Sequence, residues 1–253
     1  MRRASRTWRW IARRVVPAVA VAVAGAGAGA VRTGAACVPR GHAPTPADAA
    51  LLAWMDRAGA GDSVALDSLQ ACFAAPAGYG SPVWQVAATI LQQHPHPGRA
   101  ALAPRGEPGE RLVLRGTVRD ASGHPVAGAV LHIFQTDATG AYTPVRPMDE
   151  PHARLSAWIT TGTDGRYAFD TIRPGGYPKT VHLDGQDRKI PAHIHYDVRG
   201  AAGHAAFQLV FADDPRLDAH WREWAHDGGH PIAVLQRGAG GTWTGTQDVT
   251  LQP

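Results

Sequence analysis

Charge is scarce in this 253-residue chain: 18% of its residues are Asp, Glu, Lys or Arg, against 44% apolar. That balance excludes a solvated, disordered chain. Cysteine is scarcer still, at two residues, Cys37 and Cys72, with no Cys-x-x-Cys spacing. Alone they cannot make a zinc site; outside the cytoplasm they read as a disulfide closing a loop of about 35 residues, unless Cys37 carries a lipid. Internal repeats, a phosphate-binding glycine loop and a nucleophile elbow are all missing. The sequence therefore offers no cue for a repeat array, for P-loop chemistry or for a serine hydrolase of the elbow type.

Acid is absent from the first 36 residues, which hold seven arginines. Between Arg14 and Arg32 run 17 uncharged residues, Val15 to Val31, rich in Val, Ala and Gly and followed by small residues up to Ala36. Basic start, short apolar run and small-residue end have the layout of an export signal peptide, with residues 1–36 as the leader. A membrane anchor is the other reading, although the run is short and is diluted by Pro17 and three glycines. The whole chain carries a formal charge of +4 and a pI near 9.4. Without the leader, 18 basic residues face 21 acidic ones, a net charge of −3. No basic stripe with interleaved aromatics is present, so nucleic acid is not an expected partner. Membrane contact is expected only through the leader.

Gly and Pro together number 49 residues, about 19% of the chain, which predicts a turn-rich, mainly β protein. Residues 37–110 read as helix and linker. Pro46 takes a first helical position behind Thr45, with Asp48 three residues after Thr45, and Leu51, Leu52, Trp54 and Met55 follow. A second helix is expected over Pro82 to Gln93. His94 and His96, set among prolines, read as an exposed linker.

From Arg111 the apolar period changes to two. Strands are expected at 112–118, 130–134, 156–161, 167–169, 192–198, 205–211, 232–236 and 242–251, separated by turns such as Asp120 to Gly123 and Asp137 to Gly140. Asp164-Gly165, between two strand-like runs, reads as a hairpin turn. About eight short strands of this kind predict a β-sandwich over residues 111–253, with a small helical segment before it.

The segment Pro191-Ala-His193-Ile-His195-Tyr196 carries the chemistry. On a strand, residues two apart share a face, so His193 and His195 can converge on one ion while Ile194, Tyr196 and Val198 face the other way. Tyr142 follows a turn, and Tyr177 sits in Gly175-Gly176-Tyr177-Pro178, a loop and not a strand. Paired histidines also occur as ordinary polar surface, and loop tyrosines as packing residues.

Several runs taken together resemble the intradiol ring-cleavage dioxygenases of the catechol and protocatechuate type. They are Gly116 to Asp120 with Gly123 to Val126, Ile133 to Ala138 with Gly140-Ala-Tyr142, Thr163 to Phe169, Thr171 to Pro178, Pro191 to His195 and Gln208 to Phe211. The resemblance spans residues 111–215. It implies a β-sandwich and a mononuclear Fe(III) cofactor held by Tyr142, Tyr177, His193 and His195. Two phenolates and two imidazoles offset most of a 3+ charge and favour ferric iron. It further implies a catechol-type substrate bound as a chelating dianion, release of Tyr177 to take a catechol proton, and ring opening by O2 to a muconate-type diacid. Gln208 falls where the family contacts the reacting substrate, and a homo-oligomer is compatible with it. One departure stands out: Ile190 occupies the place of an arginine that stabilises developing negative charge. Alternation gives Arg188, and not Lys189, a place on the face of Ile190, and Ile190 itself is expected to line a more apolar pocket.

The remaining candidates are structural in this reading. His220, His226 and His230 lack tight metal spacing and read as exposed loop; Trp221 and Trp224 read as one face of a short helix; Arg154 and Arg173 read as solvated or paired. Two other classes compete with the enzyme: a transthyretin-like binding module, and a copper or zinc sandwich protein of superoxide dismutase type. Neither has a use for Tyr142 and Tyr177.

Overall fold

The computed structural model describes residues 46–75, 82–144 and 146–253. The leader, Cys37 with its pairing to Cys72, and the Thr45 cap lie outside these residues. Three helices come first: α1 (Pro46–Gly59), α2 (Ser63–Ala74) and α3 (Pro82–Gln93). Pro46 and Pro82 open their helices, where a missing N–H costs nothing. Asp62 caps α2 by accepting the Ala65 N–H at 3.0 Å. The sequence reading covered α1 and α3 and passed over α2, whose apolar spacing is interrupted by Ser63, Asp67, Ser68 and Gln70.

Fourteen strands follow among the described residues, more than the eight expected. They are β1 (His96–Pro97), β2 (Arg99–Ala101), β3 (Arg111–Arg119), β4 (Val130–Gln135), β5 (Leu155–Thr160), β6 (Arg166–Ile172), β7 (Thr180–Leu183), β8 (Gln186–Lys189), β9 (His193–Gly200), β10 (Gly203–Phe211), β11 (Ile232–Ala233), β12 (Gln236–Arg237), β13 (Trp243–Thr246) and β14 (Val249–Thr250). One helix, α4 (Ala219–Gly228), lies between β10 and β11. The first sheet runs β1-β5-β4-β9-β10-β11, the second β12-β13-β3-β6-β2 with β14 also on β3, and β7 pairs β8 alone. The two large sheets form a sandwich. Leu114 and Phe169 from one, and Leu131, Ile133, Ile194 and Phe211 from the other, meet in a single buried cluster.

Two differences from the sequence reading have clear causes. His96 is not in an exposed linker: it is 3% exposed and stands on β1, parallel to β5 at the edge of the first sheet. Asp164-Gly165 does not close a hairpin, because β5 pairs with β4 and β6 pairs with β3, so this turn carries the chain from one sheet to the other. An Asp-Gly hairpin turn is found instead at Asp184-Gly185 between β7 and β8, both residues at positive φ (51° and 75°), as a twist-matched turn requires. Asp-Gly dictates the local bend; long-range pairing decides which strands it joins.

The outer face of the first sheet has two coverings. Over β5 lie the helices, anchored by Phe73 edge-on to Trp158 at 6.3 Å and by the buried Gln70 Nε2 donating to the Ser156 carbonyl at 2.7 Å. Over β9 and β10 lie α4 and the segments that carry Tyr142, Met148 and Ala153 on one hand and Tyr177, Val181 and Ile190 on the other. No helix among the described residues is long and apolar enough to cross a membrane.

Candidate active site

The site is built on β9. It pairs on one side with β4, setting Phe134 opposite His195, and on the other with β10, setting Gln208 opposite His195 and Val210 opposite His193. Ile194, Tyr196 and Val198 point into the sandwich core, at 0 to 2% exposure. The alternation therefore sends both imidazoles to the outer face. Phe134 stacks on His195 at 4.4 Å and 8°, which fixes the plane of that ring. His193 Nδ1 lies 2.8 Å from the Pro191 carbonyl; donation there leaves Nε2 as the free lone pair. His195 has Glu150 Oε1 at 3.5 Å from its Nδ1. Burial pushes His193 down to about 4 and His195 well below its ordinary range, so both are neutral near pH 7 and able to bind a cation.

The tyrosines arrive on two loops held together by bare backbone. Gly140 has φ +87°, and a side chain there would run into the Gly176 carbonyl group and Pro178. At Gly175 an added Cβ would lie 2.5 Å from the Ala138 carbonyl oxygen. Close approach and, at Gly140, a left-handed backbone are thus both requirements for glycine. The Gly175 N–H donates to the Asp137 carbonyl at 2.8 Å, and the Thr136 hydroxyl donates to the Gly175 carbonyl at 2.8 Å. Asp137 Oδ1 accepts the N–H groups of Thr139 and Ala141, closing the turn before Tyr142. Gln135, fully buried, donates to the Ile172 carbonyl at 3.0 Å and accepts from the Thr171 hydroxyl at 2.9 Å.

These supports bring all four predicted side chains together. The Tyr142 and Tyr177 hydroxyl oxygens are 2.5 Å apart, and Tyr142 Oη lies 2.8 Å from His195 Nε2. The His193 ring centre is 4.9 Å from that of His195 and 5.1 Å from that of Tyr177. Burial raises both phenols, Tyr177 to about 12 and Tyr142 further because the neighbouring Tyr177 adds to the effect. With no cation beside them the phenols keep their protons. Two phenol oxygens and one imidazole crowded at hydrogen-bond distance, with a second neutral imidazole beside them, suit a ferric ion, which would replace the phenol protons and relieve the crowding.

Ile190 packs against the cluster of Tyr142, Ala153 and Tyr177 and also against the cluster that holds Trp221 of α4. Neither neighbouring cation enters the tyrosine cluster: Arg188 bonds to Asp218 at 2.9 Å and Lys189 is exposed. Arg154 is 4% exposed and binds Glu107, Asp137 and the Ala74 carbonyl, while Arg173 forms two 2.8 Å bonds with Asp213. The three C-terminal histidines do not gather, and no group of three metal-binding His, Cys, Asp or Glu side chains exists among the described residues. His226 is exposed and His220 partly so.

His230 corrects the exposed-loop reading. It stacks on Trp224 at 4.1 Å and its Nδ1 accepts the Gln208 N–H at 3.1 Å, so it sits beside the site and fixes the strand that carries Gln208. Glu150 was likewise missed. Neither has a local cue in the sequence; both reach the site through chain reversals, one at the end of α4 and one in the 3-10 turn Glu150–His152.

The sequence model of the family described as Dioxygenase matches residues 82–227. Among curated proteins, the protocatechuate 3,4-dioxygenase beta chain of Burkholderia cepacia is 36% identical over 121 residues, 44% of this chain and 49% of that protein. The chlorocatechol 1,2-dioxygenase of Rhodococcus opacus is 33% identical over 135 residues, 48% of this chain and 52% of that protein. The chain spans about half the length of the curated relatives it matches. In fold it is similar to the catechol 1,2-dioxygenase from Acinetobacter sp. ADP1, with a TM-score of 0.51 at 20% identity over 82% of this chain and 79% of that one. The match covers the Tyr142 and Tyr177 loops and the whole of β9, and on that basis the chain belongs to the intradiol ring-cleavage dioxygenases.

Proposed function

We propose that the protein is an exported, iron-dependent intradiol dioxygenase that opens a catechol-type ring between its two hydroxyls, giving a muconate-type diacid. Both atoms of O2 enter the product, so the reaction balances with catechol and O2 alone. The observation that carries the reading is the convergence of Tyr142, Tyr177 and His195 at 2.5 and 2.8 Å with His193 beside them. The names of the relatives, acting on catechol, chlorocatechol or protocatechuate, support the substrate class. Export rests on the leader.

Tyr142, Tyr177, His193 and His195 would hold Fe(III), which when bound withdraws electron density from a chelated catecholate and so opens the ring to O2. The chain's own groups do the rest. His193 and His195 enter as neutral ligands, their tautomers and ring planes fixed by Pro191, Glu150 and Phe134. Tyr177, on its loop, would take up one catechol proton at its Oη while the second leaves to solvent; burial raises this phenol to about 12, so it holds a proton well. Gln208, level with His195 on the adjacent strand, orients the reacting ring. Ile190, Trp221 and Trp224 shed water from one wall, which strengthens the electrostatic interactions inside.

Oxygen uptake by the iron-loaded protein with catechol, 4-methylcatechol, hydroxyquinol and protocatechuate tests the proposal. Uptake of one O2 per catechol with a muconate-type diacid by mass spectrometry is the expected result. No uptake with any of them, or a product cleaved outside the diol, contradicts it.

A further inference from the structure

Arg216 makes an unusual pair of contacts. Its Nη1 donates to the main-chain carbonyls of Tyr177 at 3.1 Å and Ile190 at 3.3 Å, joining the tyrosine loop to the run that enters β9. Its own N–H donates to Asp214 Oδ1 at 2.8 Å, and the other oxygen of Asp214 accepts the Ala192 N–H at 2.6 Å. One short stretch after β10 thus grips the chain on both sides of the site. The space for the guanidinium is made by Gly176: a Cβ there would overlap Nη1 and lie 2.7 Å from the Ile190 carbonyl oxygen. The backbone of Gly176 lies outside the left-handed region, so this glycine is required for room alone. Arg154, Arg173 and Arg188 each pair with a carboxylate. For Arg216 no carboxylate lies within ion-pairing reach among the described residues, and its side chain is committed to carbonyls.

We propose that Arg216, seated over Gly176, is a positioning residue that pins the main chain of Tyr177 while its phenol swings out and back. The proposal rests on the reading of Tyr177 as the iron ligand that yields to substrate. A planar guanidinium suits the task because one nitrogen can serve two carbonyls on different segments. With the carbonyl fixed, departure of the phenol needs only side-chain rotation. Without it, the Gly-Gly segment is free to drift with the ring, and the ligand returns less readily.

The test compares the full chain with its Arg216→Gln, Arg216→Lys and Gly176→Ala variants by two measurements. One is amide hydrogen exchange of the metal-free protein, and the other is loss of iron to a chelator. Arg216→Gln and Gly176→Ala are both expected to speed exchange within residues 174–179 and to release iron about 10- to 100-fold faster, the usual scale for losing a support of a metal ligand. Arg216→Lys, which keeps one donor, should fall between. Exchange in β9 and β10 should stay as in the parent. Unchanged exchange and iron release in Arg216→Gln would overturn the proposal, as would exchange rising equally across β9 and β10, which marks a general structural role. If the parent protein binds no iron, the ring-opening reading fails, and exchange in the metal-free variants still decides the clamp.

Discussion

The two halves of the candidate ligand set are held by different means. His193 and His195 ride on a strand paired on both sides, with every second residue sunk in the sandwich core. Tyr142 and Tyr177 ride on loops that touch through glycines and are tied by side chains reaching main-chain groups: Asp137, Thr136, Gln135 and Arg216. The strand half takes its geometry from the whole sheet and is expensive to move. The loop half takes its geometry from a few bonds, so one phenol can leave without disturbing the fold. An adjustable ligand belongs on the second kind of support, which is where Tyr177 stands.

The strongest way to break the comparison is to remove a ligand from each half. His195→Ala and Tyr142→Phe should both abolish iron retention through dialysis and all O2 uptake, measured by metal analysis and an oxygen electrode. Next comes Ile194→Ala, beneath the histidines, which should cost about 2–5 kcal/mol of stability by chemical denaturation yet leave iron content intact in the folded fraction. Gly140→Ala, in the loop half, should cost less stability, about 1–3 kcal/mol for a left-handed non-glycine residue, and yet weaken iron binding. If Ile194→Ala lost iron while Gly140→Ala kept it, the division between the halves would be wrong.

Acid sharpens the same contrast. The folded His193 titrates near 4 and the unfolded one near 6.5, so between those values the unfolded chain binds more protons. Stability of the metal-free protein is therefore complete above pH 6.5 and falls as the pH drops toward 4. His195 and His132 shift in the same direction. Denaturation at pH 7.5, 6 and 4.5 measures the slope, and a flat profile would contradict buried neutral imidazoles. The smallest effect is expected at the wall: Ile190→Arg should alter the ratio of kcat/KM between alkylated and carboxylated catechols with little change in stability. An unchanged ratio would mean that Ile190 does not shape the pocket.

The sequence disclosed these halves unequally. The shared face of the histidine pair was legible from period-two alternation, and the core residues Ile194, Tyr196 and Val198 with it; the ligand role came with the family resemblance. The sandwich was legible from strand and turn spacing, although β1, β2 and the β7–β8 hairpin escaped, and the expected strands 232–236 and 242–251 are each split in two, as β11 and β12 and as β13 and β14. Strands of two or three residues such as β1 and β2 carry no period, and β7–β8 is largely exposed. Tyr142 and Tyr177 came only through family resemblance, since nothing local to a loop tyrosine announces a ligand. Arg216 and Glu150 carried no signal, and His230 drew notice only as an exposed-loop histidine. Their partners lie 22 to 45 positions away, at Tyr177, Ile190, His195 and Gln208, and only the folded chain brings them together.

The visible spectrum of the iron-loaded protein tests the central claim most directly. The account predicts an intense tyrosinate-to-iron absorption band, a wine-red protein, and a shift of that band when catechol is added without oxygen. Tyr177→Phe should weaken the band and leave the protein folded. A colourless protein holding one iron per chain would contradict ligation by Tyr142 and Tyr177, and with it the proposed reaction.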